Sequence, residues 1–208
     1  MTKIKGLALD IDNTLSDTSI VWVEEIASVL GNPEGLTMEE FTRKYSYGRG
    51  VSYWAEEDYE RVSVTLRQSN KFYEDLPLIE NANKQVEEIN KIVPIVAYIT
   101  ARNMGVIEST ENWLKKHNFP KSKIICRPDE IGIMDQFEWK AKLLEKMYPN
   151  VSGIVDDSIG LVEALSRNYK GTVFLYNHDG VDKIREDIKV VVCKDWNEVL
   201  KKIKENYD

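Results

Sequence analysis

The sequence predicts an α/β protein, a doubly wound parallel sheet interrupted once by a helical insert. Three observations predict it. Unbroken apolar runs such as Gly6-Leu7-Ala8-Leu9 and Ile95-Val96-Ala97-Tyr98-Ile99 read as strands buried on both faces. From residue 77 onward such runs alternate with helical patterns, as crossover helices between parallel strands require. Residues 18–76 carry helical spacing and no strand pattern. The expected division is therefore a core of residues 1–17 and 77–208 with a small helical domain of residues 18–76 inserted between its first and second strands.

The elements follow in order. Ile20, Val23, Ile26, Ala27 and Leu30 recur at helical spacing, so Ser19 to Leu30 reads as a helix, ended by Gly31-Asn32-Pro33-Glu34-Gly35. Thr37 and Glu40 form a capping box that starts a second helix. Tyr45 to Gly50 is a loop, and Ser52 to Asp75 reads as one long helix closed by Pro77. Asn81 to Lys91 is helical. The second strand is expected from Ile92 to Ile99, with Pro94 near its start, where strands tolerate proline. Met104 to Asn118 is helical, Lys123 to Cys126 a strand, Phe137 to Tyr148 a helix and Val151 to Val155 a strand. Ser158 to Arg167 is helical, Thr172 to Tyr176 and Lys189 to Val192 are the last strands, and Trp196 to Lys204 is the closing helix.

With 208 residues and 42% apolar side chains, the chain can bury one core with an insert. It has no run of ~18 apolar residues, so a membrane helix is not expected. The first five residues lead straight into the first strand, and no signal peptide is expected. Cys126 and Cys193 are isolated, which fits a reducing, cytoplasmic setting. A net charge of −7 argues against a general nucleic-acid surface but not against an anionic small substrate. The oligomeric state is left open, a homodimer included.

Four stretches carry chemistry. The first strand ends in Asp10-Ile11-Asp12-Asn13-Thr14. Ligands bind at the carboxyl ends of strands in open α/β sheets. Of two acids there, one can attack while the other moves protons, and together they can hold a cation. The plainer alternative is a helix cap or turn. The second strand runs into Thr100-Ala101-Arg102, a hydroxyl and a guanidinium suited to phosphate oxygens, with helix capping by Thr100 as the alternative. Asp156-Asp157-Ser158 follows the fourth strand, and adjacent acids at a buried strand end are most simply explained by a metal, or else by capping. Between them lies Lys140, with Lys142 as a rival.

In this order and strand context the four stretches resemble the haloacid dehalogenase-like hydrolase superfamily, over residues 3 to about 168. Its pattern is D-x-D-x-[TV] after a strand, Thr or Ser ending a second, a Lys, and paired acids ending a later strand. Asn13 departs mildly, standing where most members have Gly, but Asn also tolerates the left-handed conformation. The resemblance implies a Rossmann-like core and a helical cap at 18–76 that closes over the site. It implies that Asp10 attacks a phosphoryl group and Asp12 protonates the leaving oxygen. It implies Mg²⁺ on the Asp10 carboxylate, the Asp12 carbonyl and one of Asp156 and Asp157, with Asp157 favoured as the direct ligand. Thr100 and Lys140 would hold the phosphate oxygens. Members that dehalogenate carbon lack the second acid, so Asp12 favours phosphoester chemistry.

The candidate substrate-binding residues are Asn13, Ala101, Arg102, Tyr47 and Arg49. The loop Arg43 to Trp54 is rich in Tyr, Trp and Arg, able to stack on a base and pair with a phosphate, although the core and surface of the insert are the plainer reading. The expected reaction is hydrolysis of a small phosphomonoester, first a nucleoside monophosphate. The alternatives are a sugar-phosphate or nucleic-acid-end phosphatase and a non-catalytic binding or regulatory protein. No G-x-x-x-x-G-K-[ST] or G-x-G-x-x-G run supports a kinase or nucleotide-binding module.

Overall fold

The computed structural model describes residues 5–178 and 185–207. Its strands are β1 (Gly6–Leu9), β2 (Ile95–Asn103), β3 (Lys123–Arg127), β4 (Val151–Asp156), β5 (Thr172–Tyr176) and β6 (Lys189–Cys193). They form one sheet in the order β3-β2-β1-β4-β5-β6, with every pair parallel. The chain winds outward from β1 to β3, then returns to the other side of β1 as β4. The carboxyl ends of β1 and β4 therefore flank the point where the winding reverses, where open α/β sheets bind ligands.

Side chains alternate along each strand, so the sheet feeds two apolar layers. Leu7, Leu9, Tyr98, Val155, Phe174 and Tyr176 enter one layer. It contains Val86 and Ile89 of α5 (Ala82–Ile92), Trp113 of α6 (Ile107–Lys116) and Val199 of α9 (Trp196–Tyr207). Ala8, Ala97, Ile99, Ile154, Val173 and Leu175 enter the other, with Ala141 and Leu144 of α7 (Gln136–Met147) and Leu161 of α8 (Ile159–Ala164).

Between β1 and α5 lie α1 (Thr18–Leu30), α2 (Met38–Lys44), α3 (Glu56–Arg67) and α4 (Asn70–Asp75). The apolar cluster on the first face runs on without a break into Trp22, Phe41, Trp54 and Phe72 of this segment. Its two connections to the sheet are zipped together. Asp17 N donates to Pro77 O at 3.0 Å and Ile79 N to Leu15 O at 2.9 Å. Trp113 Nε1 holds Leu76 O at 2.7 Å, and Trp196 Nε1 holds Thr14 O at 2.9 Å.

Most expected elements are present, and the capping box of Thr37 and Glu40 forms on α2. The long helix expected from Ser52 to Asp75 is instead two. α3 starts only at Glu56, and Ser69 restarts the chain as α4 by accepting a bond from Phe72 N at 3.1 Å. A serine hydroxyl placed to cap competes with helix continuation. β2 starts at Ile95, not Ile92, because Ile92 completes α5 and Pro94 has no N–H for the ladder. α8 stops at Ala164, short of Arg167.

Gly153 on β4 stands opposite Thr172 of β5. A Cβ there would lie 2.5 Å from Thr172 O and 3.3 Å from Leu7 Cδ1. Gly153→Ala should therefore destabilise by ~1–3 kcal/mol through overpacking. A thermal melt checks it, and an unchanged Tm would contradict the close approach.

Candidate active site

The loop after β1 is a tight turn built on one carbonyl. Leu15 N and Ser16 N both donate to Ile11 O, at 2.8 and 3.0 Å, and Asn13 N donates to Ser16 O at 2.8 Å. Asn13 adopts φ +58°, the left-handed conformation expected of it. Asp10 N still donates to Val155 O at 2.9 Å, so Asp10 is fixed by the sheet ladder. Asp156 ends β4 beside it.

Lys140 reaches this point from α7. Its Nζ donates to Asp10 Oδ1 at 2.6 Å and to Asp156 Oδ2 at 2.8 Å, and all three side chains are buried. Lys142 points away and pairs with Glu138 on the exposed face. The helix phase therefore selects Lys140. Burial alone would neutralise its amine, but the charges of Asp10 and Asp156 outweigh burial and raise its pKa. Asp156 is further held by Ser158 N, which donates to Oδ1 at 2.9 Å. Thr14 Oγ1 has one proton for two acceptors, Asp10 Oδ2 at 3.3 Å and Asp157 Oδ1 at 3.4 Å. The carbonyl of Asp157 accepts from His178 Nε2 at 2.8 Å.

Asp12 has a different environment from Asp10. Arg102 donates to it side-on, Nη2 to Oδ1 at 2.8 Å and Nε to Oδ2 at 3.1 Å. Thr18 Oγ1 adds 2.7 Å to Oδ1, and Thr100 Oγ1 adds 3.3 Å to Oδ2. Burial pushes the Asp12 carboxyl up, but Arg102 and then Thr18 outweigh it and hold the pKa below its ordinary value. For Asp10, burial dominates over Lys140, and Asp156 and Asp12 add to it, so its carboxyl is pushed up to about 7. Burial and then the charges of Asp156 and Asp10 push Asp157 well above the usual carboxylate range.

A cavity of about 200 Å³ lies at these strand ends. Asp10, Asp12, Ala101, Arg102, Lys140, Asp156 and Asp157 line its sheet side, and Trp22, Tyr47, Arg49, Arg67 and Tyr73 line it from the helical segment. Of the expected site residues, Thr100 and Asn13 do not line it. Thr100 is fully buried behind Asp12. Both ends of the Asn13 amide are engaged, Oδ1 with Ser19 N at 2.8 Å and Nδ2 with the Tyr47 hydroxyl. The sequence reading missed Thr18, Trp22, Arg67, Tyr73 and Phe137. Arg67 and Tyr73 were hidden inside what reads as one continuous helix, and nothing in the spacing marks Thr18 as a partner of Asp12.

Solved structures of similar fold were found for the whole chain. A hydrolase from Pseudomonas syringae superposes with a TM-score of 0.58 at 20% identity, over 98% of this chain and 100% of that one. A haloacid dehalogenase (HAD)-superfamily hydrolase from Ehrlichia chaffeensis gives 0.55 at 19%, over all of both chains. The HAD-hydrolase YfnB from Bacillus subtilis, solved with magnesium bound, gives 0.55 at 16%, over 98% of this chain and 100% of its own. The chain has the HAD-hydrolase fold. No protein-family model and no curated protein matches the sequence.

Within that fold, the acids suit a divalent cation. One carboxylate oxygen each from Asp10, Asp156 and Asp157 lie within 4.8 Å of one another. Lys140 pairs directly with Asp10 and Asp156, and Arg102 with Asp12. Among the described residues, Asp157 forms no ion pair with either Lys140 or Arg102. Three carboxylate oxygens converging this closely are a donor set that hard divalent cations bind.

The raised carboxyls give a pH-dependent test. Protonated Asp10 and Asp157 favour the folded state. That contribution is full below the unfolded pKa of ~4 and is lost as pH rises, for Asp10 through about 7. Metal-free protein should melt at a lower temperature at pH 8 than at pH 5.5, and added Mg²⁺ should raise the Tm more at pH 8. Asp157→Asn should remove most of the Mg²⁺ effect. A Mg²⁺ shift that persists in Asp157→Asn would place the cation elsewhere.

Proposed function

We propose that this chain is a Mg²⁺-dependent phosphomonoesterase that works through an aspartyl-phosphate on Asp10. The carrying observation is the pair Asp10 and Asp12, two residues apart and lining one cavity, but held by different partners. Asp10 contacts the Lys140 ammonium, and Asp12 the Arg102 guanidinium. A nucleophile and a proton carrier need such a separation of environments. A carbon dehalogenase has no alcohol to protonate and no use for the second acid.

The residues support the steps in order. An Asp10 oxygen attacks phosphorus as the bond from phosphorus to the leaving oxygen breaks, and Asp12 delivers a proton to that oxygen. The charge of an arriving phosphate opposes the ionised form of Asp12 and favours its carrying the proton. Asp12, now a carboxylate, takes a proton from the water that attacks the aspartyl-phosphate, which frees inorganic phosphate and restores Asp10. Lys140 orients Asp10 throughout. Mg²⁺ would be held by Asp10, the Asp12 carbonyl and Asp157, with Asp156 behind, and when bound supplies charge neutralisation between carboxylate and phosphate. Trp22, Tyr47, Tyr59, Tyr73 and Phe137 give the cavity aromatic walls, and Arg49 and Arg67 add positive charge. A nucleoside monophosphate fits that chemistry, and a sugar phosphate is the nearest rival. The helical segment 18–76 would then act as the cap that selects the organic group. The two buried, unpaired thiols at Cys126 and Cys193 suit a reducing cytoplasm.

A turnover screen against nucleotides, sugar phosphates and 4-nitrophenyl phosphate tests this. Activity should need Mg²⁺ and vanish with chelator. Asp10→Asn should end turnover, and Asp12→Asn should slow it by ~10²–10⁴-fold. Near-normal turnover by Asp10→Asn would rule out covalent catalysis there.

The same screen tests the cap. Arg49→Ala should raise KM for the preferred substrate, since ground-state and transition-state binding are lost together. Its effect on 4-nitrophenyl phosphate should be small. Tyr47→Ala should act likewise but less cleanly, because its hydroxyl also holds Asn13. Equal losses on both substrates with Arg49→Ala would remove this residue from substrate recognition.

A further inference from the structure

Arg102 reads from the sequence as a phosphate ligand, but its guanidinium is engaged by Asp12, Ser16 and Thr110. Its side chain is 1% exposed. Nε and Nη2 are turned onto Asp12, Nη2 also meets Ser16 Oγ at 3.3 Å, and Nη1 meets Thr110 Oγ1 at 3.2 Å. Thr110 Oγ1 is fixed in turn by donating to Val106 O at 2.8 Å. The ring of Tyr73 covers the guanidinium at 4.4 Å. Burying an ion pair carries a desolvation penalty that apolar side chains would avoid, so fold stability alone does not call for it here.

We propose that Arg102 is a positioning residue, which orients the Asp12 carboxylate so that Oδ2 carries the proton to the leaving oxygen. This rests on the phosphomonoesterase reading above. Oδ1 is saturated by the two shortest contacts, Thr18 at 2.7 Å and Nη2 at 2.8 Å. Oδ2 has only the longer contacts, Nε at 3.1 Å and Thr100 at 3.3 Å. The Thr100 hydroxyl can rotate away, since it also accepts from Arg102 N at 3.2 Å. The Asp12 side chain keeps 21% exposure, which leaves an edge open to the cavity it lines. Arg102 therefore fixes the plane of the carboxylate and the choice of oxygen. In the step it serves, the bond from phosphorus to the ester oxygen breaks as Asp10 bonds to phosphorus. The proton on Asp12 Oδ2 goes to the departing oxygen.

The prediction concerns leaving groups of one shape and graded acidity. Substituted phenyl phosphates, from phenyl to 4-nitrophenyl, are compared by kcat/KM with Mg²⁺. For this two-step reaction kcat/KM reports only as far as loss of the phenol. A poor leaving group needs the proton and 4-nitrophenolate does not. Arg102→Gln should lower kcat/KM for phenyl phosphate by ~10²-fold, the order expected of a lost general acid. It should lower it far less for 4-nitrophenyl phosphate, so that log(kcat/KM) falls more steeply with leaving-group pKa. Arg102→Lys keeps the charge without the planar fork and should keep the steeper slope. If Arg102→Gln does not fold, Thr110→Val takes its place, because it removes the support of Nη1 without touching Asp12, and it should steepen the slope to a smaller degree. An equal loss across the series, with the slope unchanged, would overturn the assignment and leave Arg102 a phosphate ligand or a support of the fold. If the unaltered enzyme hydrolyses none of these esters, nor the nucleotides and sugar phosphates, the phosphomonoesterase reading falls first and this assignment with it.

Discussion

The site depends on one buried cation. Lys140 places its ammonium between Asp10 and Asp156, 2.6 Å from one and 2.8 Å from the other. The two acids end up adjacent because β1 and β4 are neighbours at the reversal of the winding. Two carboxylates that close, out of water, repel strongly, and Coulomb energies grow as the local dielectric falls. The chain meets this with a lysine from α7, the helix that leads into β4, whose Ala141 and Leu144 pack against the sheet. Position, burial and countercharge thus come from the same crossover.

Much of this is legible in the sequence, for identifiable reasons. Buried parallel strands are nearly continuous apolar runs, so their ends, and the acids at those ends, can be located without a structure. The choice between Lys140 and Lys142 was also within reach. Lys142 stands four residues after Glu138, a spacing that belongs on a solvated helix face, and the structure shows that pair. Lys140 shares a face with Phe137 and Leu144, three residues before it and four after. What could not be read is side-chain pairing outside regular elements. Thr18 meets Asp12 across a turn of 6 positions and Arg102 meets it across 90, and neither spacing belongs to a helix or strand period. The break between α3 and α4 was missed because charge-dense helical spacing continues through Ser69, and one capping hydroxyl overrides it.

The helical segment is tied to the sheet in a way that couples it to the site. Its entering and leaving chains bond to each other beside Leu15 to Asp17, in the turn that presents Asp12. Tyr47 reaches from that segment to Asn13, and Tyr73 covers Arg102. The segment that lines the outer cavity therefore also touches the loop and the arginine that hold the acids. Its contacts fall on Asn13 and Arg102, whereas Asp10 is bonded into the sheet.

Asp10 and Asp12 show how environment, and not residue type, sets two aspartates apart. Burial, with Asp156 and Asp12 nearby, pushes Asp10 up to about 7 in spite of Lys140. Burial acts on Asp12 as well, yet Arg102 with Thr18 reverses it. In the proposed reaction the attacking carboxylate must be ionised, and Lys140 alone does not return the Asp10 carboxyl to its ordinary range. A divalent cation on Asp10 and Asp157 would lower both carboxyls together, since an adjacent positive charge favours the ionised form. In the proposed reaction, cation binding and preparation of the nucleophile would then be one event. Asp12 takes its position from its own arginine instead.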